Sequence, residues 1–366
     1  MKKNFFKSRF FCILPSWIDH SGHEASFLKS YQLLAYKSQN KLSLILPHRN
    51  KITLREIECI KNIENRSTGY MTLLIKMVKN LINLKKYFNK KNFTNKDSVI
   101  IDGYSFDFLI SFLLIFYSCK LKGKTILIYC RYDFKGIKKI IFDLFINLIG
   151  KKFLILKILT DTNNLKLILG KRHGNKVVLL PVPHTNIDLK NKKNKKQQHI
   201  KLYFPGQYRS EKFGLNFRNF LELNNNKKYQ ILINEKFDSK KKFLFKIKFL
   251  KNNLSNYEYI KVMKMSDVII LPYSGELYKN RTSGIFIEGT ILKKIILVTE
   301  NTWMANEYKR FGLNDLVIKD WSKFMLEKNL KKIFAKKIDF KIKSMQNKYS
   351  QTHNKDNYTN ILMRYL

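Results

Sequence analysis

The sequence predicts an α/β protein built from two Rossmann-like βαβ lobes, and three observations carry that expectation. Short apolar runs alternate with segments of helical spacing, as in Ser98–Asp102, Phe106–Tyr117 and Thr125–Tyr129, and such alternation makes parallel sheets with right-handed crossovers. The alternation restarts at Ile200–Phe204 after the polar stretch Asn186–Lys201, which reads as an exposed linker. At 366 residues the chain has room for two domains, each with its own core. The expected division is a first lobe over residues 1–185, a linker over 186–200 and a second lobe over 201–345.

Composition agrees with a globular chain. Hydrophobic residues make up 45% and aromatics 14%, enough to bury a core and to exclude wholesale disorder. The formal net charge is +44, yet only 11 of the 71 basic residues are arginine. Lys, Asn, Ile and Phe are abundant together, a bias that an AT-rich genome produces without selection for binding. The lysines are spread along the whole chain rather than gathered with arginines and aromatics on one face, so a nucleic-acid partner is not expected. The charge still draws the chain to anionic lipid and phosphorylated ligands, over a Debye length of about 8–10 Å.

Cys12, Cys59, Cys119 and Cys130 have no metal-site or disulfide-framework spacing and read as free thiols in a reducing cytoplasm. The N-terminus carries lysines and apolar residues like a signal peptide, but Arg9 interrupts the run and no small-residue cleavage site follows. The longest uncharged apolar run, Phe108–Cys119, has 12 residues, against the roughly 20 a spanning helix needs. A cytoplasmic protein is expected, with any membrane contact peripheral at the inner face of the cytoplasmic membrane.

In the first lobe, Phe10–Leu14 reads as a strand, Ser21-Gly22-His23-Glu24 as a helix start, and Leu42–Leu46 as the next strand, stopped at Pro47. Ser21, Gly22 and His23 fit either a ligand-facing loop or a plain N-capped helix. Residues 51–96 are expected to be helical. Their apolar stripe (Met71, Leu74, Ile75, Val78, Ile82, Leu84) and basic cluster Lys85–Lys96 fit two readings: a segment lying on anionic lipid, or a core-facing helix with a solvated lysine face. Past the strand 125–129 comes the loop Arg131–Lys135. There Arg131 suits a phosphate or acceptor anion and Asp133 a base or hydroxyl-orienting group, with a structural ion pair as the alternative for each. A helix over Ile137–Ile149, a strand over Phe153–Leu159, a helix opened by Thr160-Asp161-Thr162 and a strand over Val177–Leu180 complete the lobe, which runs out in Pro181-Val182-Pro183-His184.

The second lobe opens with the strand Ile200–Phe204 and the loop Pro205–Gly214. In that loop Gly206 permits close backbone approach and Arg209 and Lys212 would neutralise phosphate, a solvated loop being the alternative. A strand over Tyr229–Asn234, a basic helix over Ser239–Lys251 and a helix over Ser255–Met265 follow. The richest stretch is Ser266–Gly312. Val268–Leu271 is a buried strand closed by Pro272, Thr282-Ser283-Gly284 can cap a helix whose free N–H groups suit a phosphate, and Ile295–Val298 is the next strand. Beyond Gly312 lie a strand-like Leu316–Trp321 and helical material with Phe324, Leu326, Leu330, Ile333 and Phe334.

Several of these pieces resemble the donor-site segments of GT-B glycosyltransferases, family 4 in particular. They are Leu271-Pro272-Tyr273, Arg281-Thr282-Ser283-Gly284, Glu288, the strand and loop 293–307, and Gly206 followed by Glu211-Lys212. SGHEASF (21–27) is similar to the glycine-containing loop of the first GT-B domain, and residues 181–184 to that domain's end. The resemblance implies two lobes facing a central cleft and a terminal helix, over 346–366, crossing back to the first. It also implies sugar transfer from a nucleotide-sugar donor to a glycan or lipid-linked acceptor, as in bacterial surface polysaccharide biosynthesis, with neither metal nor other cofactor.

By the same resemblance Lys212 matches the lysine that holds the diphosphate, while Gln207 stands where its arginine partner belongs and Arg209 follows two residues later. Glu288 matches the glutamate that hydrogen-bonds the nucleotide ribose. The family's other glutamate, eight positions earlier, falls on Asn280. The implied donor set is Gly206, Arg209, Lys212, Asn280, Arg281, Ser283, Gly284 and Glu288; Ser21, Gly22 and His23 stand on the acceptor side with Arg131 and Asp133 as the catalytic candidates. A nucleotide-sugar epimerase on the same fold and a non-enzymatic basic binding protein remain the alternatives. No Walker A loop, G-x-G-x-x-G after a strand, H-E-x-x-H or G-x-S-x-G is present.

Overall fold

The computed structural model describes residues 8–17, 24–48, 57–63, 70–183, 199–205, 228–234, 246–251, 254–335 and 338–366. Ser21, Gly22, His23, Gly206, Arg209 and Lys212 lie outside them. The chain forms two compact units, Met1–Pro183 with Lys355–Leu366, and His184–Asn354.

The first unit runs β1 (Arg9–Ile13), α1 (Glu24–Ser38), β2 (Lys41–Pro47), β3 (Glu58–Ile63), α2 (Tyr70–Lys90), β4 (Ser98–Ile101), α3 (Phe106–Ser118), β5 (Gly123–Tyr129), α4 (Gly136–Gly150), β6 (Phe153–Thr160), α5 (Asn163–His173) and β7 (Val177–Leu179). Among the described residues these strands make one seven-stranded parallel sheet in the order β3-β2-β1-β4-β5-β6-β7. The central strands are apolar without interruption because helices cover both faces: all four residues of β4 are buried. Phe11 of β1, Phe88 of α2, and Phe112 and Phe116 of α3 join one cluster, Phe88 meeting Phe116 edge-on at 5.9 Å. Burying each such ring contributes about 1.5–3 kcal/mol.

One expectation fails here. Residues 58–63 form strand β3, not part of a long helix. Its sequence, Glu-Cys-Ile-Lys-Asn-Ile, is that of a half-polar edge strand. Glu58 accepts from Ser43 at 3.1 Å and pairs with Lys91 at 2.5 Å, which supplies the anchoring that a two-sided apolar strand gets from burial.

The second unit runs β8 (Ile200–Tyr203), β9 (Tyr229–Asn234), β10 (Lys246–Leu250), α6 (Asn256–Met265), β11 (Val268–Leu271), α7 (Gly275–Tyr278), α8 (Gly284–Ile291), β12 (Ile295–Thr299), α9 (Trp303–Arg310), β13 (Val317–Ile318), α10 (Lys323–Ala335) and α11 (Asp339–Thr352). Its strands are parallel in the order β10-β9-β8-β11-β12-β13. Residues 246–250 were expected in a basic helix and are instead edge strand β10. Lysine alternates there with Ile247 and Phe249, the period of two that a half-covered strand shows. Ser255 opens α6 with a complete capping box, its Oγ accepting from Glu258 N and its own N–H donating to the Glu258 carboxylate.

After α11 the chain returns to the first unit as α12 (Lys355–Met363), which packs on α1. Tyr358 donates to Tyr31 Oη at 3.3 Å, Thr359 to Ser30 O at 3.3 Å, and Thr125 of β5 to Tyr365 O at 2.7 Å.

Candidate functional site

Strand order places the crevice of each unit. In each unit the chain works outward in one direction and then restarts beside the first strand, so the order reverses between β1 and β4 and between β8 and β11. Helices diverge to opposite faces there, leaving a crevice at the carboxyl ends of the strands.

In the second unit β11 stops at Pro272, and the turn after it lies close against the loop after β12. A Cβ on Gly275 would stand 3.3 Å from the Glu300 carbonyl oxygen and 3.4 Å from Asn301 Cβ. The rings of Tyr273 and Tyr278 overlap at 4.3 Å, and the Arg281 guanidinium lies 5.6 Å from the Tyr278 ring centre. Ser283 then caps α8, its Oγ accepting from Phe286 N at 3.3 Å. No acidic residue occupies the first turn of α8, so the positive end of the helix keeps its field. Gly289 lets the helix ride directly on the sheet, since a Cβ there would lie 2.7 Å from Ile296 Cδ1 and 3.0 Å from Ile269 Cδ1.

Beside Gly289, Glu288 accepts a 2.6 Å hydrogen bond from Tyr259 Oη of α6. Burial first, then the charge and hydrogen bond of Glu288, push the Tyr259 phenol well up, so it stays protonated and donates. Tyr203, the last residue of β8, is buried, and burial followed by the Glu288 charge raises its phenol too. Glu288 therefore stands at the β8/β11 reversal with a tyrosine from each of two other elements near it. Asn280 and Arg281, half-buried, and Ser283 and Gly284 precede it on the same loop and helix start. The sequence signals Glu288, but not Tyr203 or Tyr259: neither sits in a local motif, and only the sheet order brings them to this end.

In the first unit the corresponding residues are Asp102 after β4 and Arg131 after β5. Asp102 is buried, and its N–H donates to Ile13 O of β1 at 3.1 Å. Gly103 follows with φ of 70°, and a Cβ on it would lie 1.9 Å from Ser16 Oγ, so only glycine fits this turn. Arg131 Nη2 donates to Asp102 Oδ2 at 3.3 Å, and the guanidinium lies 4.5 Å from the Tyr129 ring centre and 5.1 Å from that of Phe27. Burial raises the Asp102 carboxyl, opposed by Arg131 and the Gly103 N–H. Asp133 lies 3.9 Å from Arg172, which pairs with Asp143 at 3.0 Å. The structure thus sets both catalytic candidates in ion pairs within the first unit, and adds Asp102, which sequence reasoning missed because its partner stands 29 residues away.

A cavity of about 670 Å³ opens elsewhere in that unit, where Lys151, Leu154, Lys157 and Tyr365 meet. It lies at the start of β6, away from the carboxyl ends, so it is not the site the topology marks. Among the described residues no group of three His, Cys, Asp or Glu side chains could hold a metal ion.

The same architecture recurs in solved structures. The lipopolysaccharide outer core galactosyltransferase WaaB superimposes with a TM-score of 0.65 at 11% identity, over 98% of this chain and 100% of that one. The fold is GT-B. HepE of Anabaena, solved with UDP-glucose, matches with a TM-score of 0.64 at 8% identity over 97% of this chain and 98% of its own. The N-terminal domain of Candida albicans trehalose-6-phosphate phosphatase matches at 0.66 and 11% identity, over 97% and 96%. No family model and no curated protein matches the sequence. At these identities the GT-B likeness establishes architecture, and activity has to be argued from the site.

Proposed function

We propose that the chain is a glycosyltransferase of the family 4 type that moves a sugar from a nucleotide-sugar donor to a glycan or lipid-linked acceptor at the inner face of a membrane, as in surface polysaccharide synthesis. The observation that carries the reading is Glu288, held by Tyr259 at 2.6 Å, one turn into a Ser283-capped helix at the β8/β11 reversal. A carboxylate fixed there suits the paired hydroxyls of a ribose. The helix start with Arg281 suits the diphosphate, whose growing negative charge it would stabilise as the sugar departs. Asn280 both donates and accepts, which fits a sugar hydroxyl. Gly206, Arg209 and Lys212 belong to the same proposed donor site. Ser21, Gly22, His23, Arg131 and Asp133 fall to the acceptor side, with Arg131 acting alongside Asp102. HepE, solved with UDP-glucose, and WaaB, a galactosyltransferase, support the reading as proteins of like architecture.

A thermal-shift panel of UDP-, GDP- and ADP-sugars tests it. One donor is expected to raise the melting temperature of the wild type, since a ligand at a hundred times its Kd stabilises by about 2.7 kcal/mol. Glu288→Ala should lose that shift. If no donor stabilises the wild type, the reading fails.

A further inference from the structure

α2 is apolar on two sides. Leu84 and Phe88 turn inward to the core, while Leu74, Ile75, Val78 and Ile82 each keep more than half of their surface open. At about 100° per residue these four fall within a single arc of roughly 100° on the side away from the core. α3 repeats the pattern with Ile110, Leu114 and Tyr117, spaced four and three apart and each more than a third exposed. So does α4 with Ile137, Ile140 and Leu144, spaced three and four apart and each more than half exposed.

The three helices are neighbours, α2 packing on α3 and α3 on α4. The crossovers β3 to β4, β4 to β5 and β5 to β6 all step the same way across the sheet, so right-handed connection puts the three helices on one face. Single exposed leucines are ordinary on soluble proteins. Three aligned stripes on adjacent helices are not, because monomers rarely leave contiguous apolar patches larger than a few hundred Å².

Charge identifies the occupant. Residues 70–152 contain fifteen lysines and five aspartates. None of the five is exposed: Asp97 pairs with Arg9 and Asp102 with Arg131, Asp107 is buried, and Asp133 and Asp143 face Arg172. The face therefore offers solvent an apolar centre and lysines such as Lys138 and Lys139, without exposed carboxylates to balance them. A second copy of the chain would set lysine against lysine. An anionic bilayer supplies what the face lacks, phosphate at the surface and hydrocarbon beneath.

We propose that the outward faces of α2, α3 and α4 dock the chain onto an anionic lipid bilayer. This extends the membrane-side placement in the proposed function, yet it rests on burial and charge alone, and its readout needs no donor.

Flotation of the full-length protein with vesicles of phosphatidylcholine, with and without 30% phosphatidylglycerol, tests it. Binding should depend on phosphatidylglycerol and weaken several-fold between low and physiological salt. Ile140→Ser with Leu144→Ser, and Val78→Ser with Ile82→Ser, should each reduce binding about tenfold. Phe340→Ser, an exposed aromatic of the second unit, should leave it unchanged. Circular dichroism checks that the variants stay folded. Equal flotation of all variants, or none with phosphatidylglycerol, overturns the proposal. So does concentration-dependent self-association that the stripe variants abolish, which would make a second copy the occupant. A wild type that floats but is stabilised by no nucleotide sugar would sink the transfer reading alone.

Discussion

The two sheets share one topology and treat their carboxyl ends differently. In the first unit the carboxylate at the reversal, Asp102, is met by a guanidinium, and Arg131 is in turn flanked by Tyr129 and Phe27. In the second the carboxylate is Glu288, and a phenol donates to it. An arginine cancels the charge it pairs with, whereas a tyrosine orients a carboxylate and leaves it negative. The difference separates a carboxylate matched by a fixed cation in the first unit from one oriented by a neutral donor in the second.

The sharpest way to break this contrast is Arg131→Ala. It strands Asp102 in a buried site and should cost about 2–4 kcal/mol, with the loss confined to the first unit. Hydrogen exchange read separately over β4–β5 and β11–β12 checks it: faster exchange in both pairs would show that the loss is not confined to the first unit. Next in size is Gly289→Leu, which forces a side chain into Ile296 and Ile269 and should cost about 1–3 kcal/mol in the second unit, measured by the same exchange experiment.

Tyr259→Phe removes the phenol from Glu288 and should cost about 1.5 kcal/mol, seen as a loss of donor-induced stabilisation larger than the loss of intrinsic stability. Equal losses would reduce Tyr259 to a packing residue. The smallest effect is in pH. Burial raises Asp102 above its unfolded carboxyl, so its contribution is fully present below the unfolded value of about 3.9 and is lost as pH rises through the folded one. In melting temperature against pH, wild type should show this falling component and Asp102→Asn should lack it; identical profiles would place the carboxyl's shift elsewhere.

Most of the fold was legible because buried parallel strands write themselves as unbroken apolar runs. Val268–Leu271 stands as expected, the strands expected over Ile295–Val298 and Ser98–Asp102 form within one residue of those bounds, and the caps at Thr162 and Ser283 form on the residues that signal them. The failures are both edge strands. β3 and β10 each cover only one flank, carry lysines, and so lack the run that marks a central strand. The site divides in the same manner. Glu288 sits in a local pattern that the sequence shows; Tyr259 and Asp102 gain their meaning from partners 29 residues away in each case, and no spacing rule reaches that far. Cys119, though in an apolar run, is only half-buried because it caps the end of α3, where the helix runs out toward solvent. The amphipathic segment posed two alternatives, core-facing or lipid-facing. α2 does turn one side to the core, and the lysine-flanked side opposite is apolar as well.

The return of α12 to the first unit has a consequence for biosynthesis. The second unit is inserted between two pieces of the first, so its last residue leaves the ribosome before Tyr358 and Thr359 do. All seven strands of the first sheet emerge before the second unit, and the helix that covers α1 emerges after it. Until residues 355–366 emerge, Tyr31 and the surface of α1 that receives α12 stay uncovered, so the nascent chain carries an exposed aromatic seam for as long as the second unit is being made.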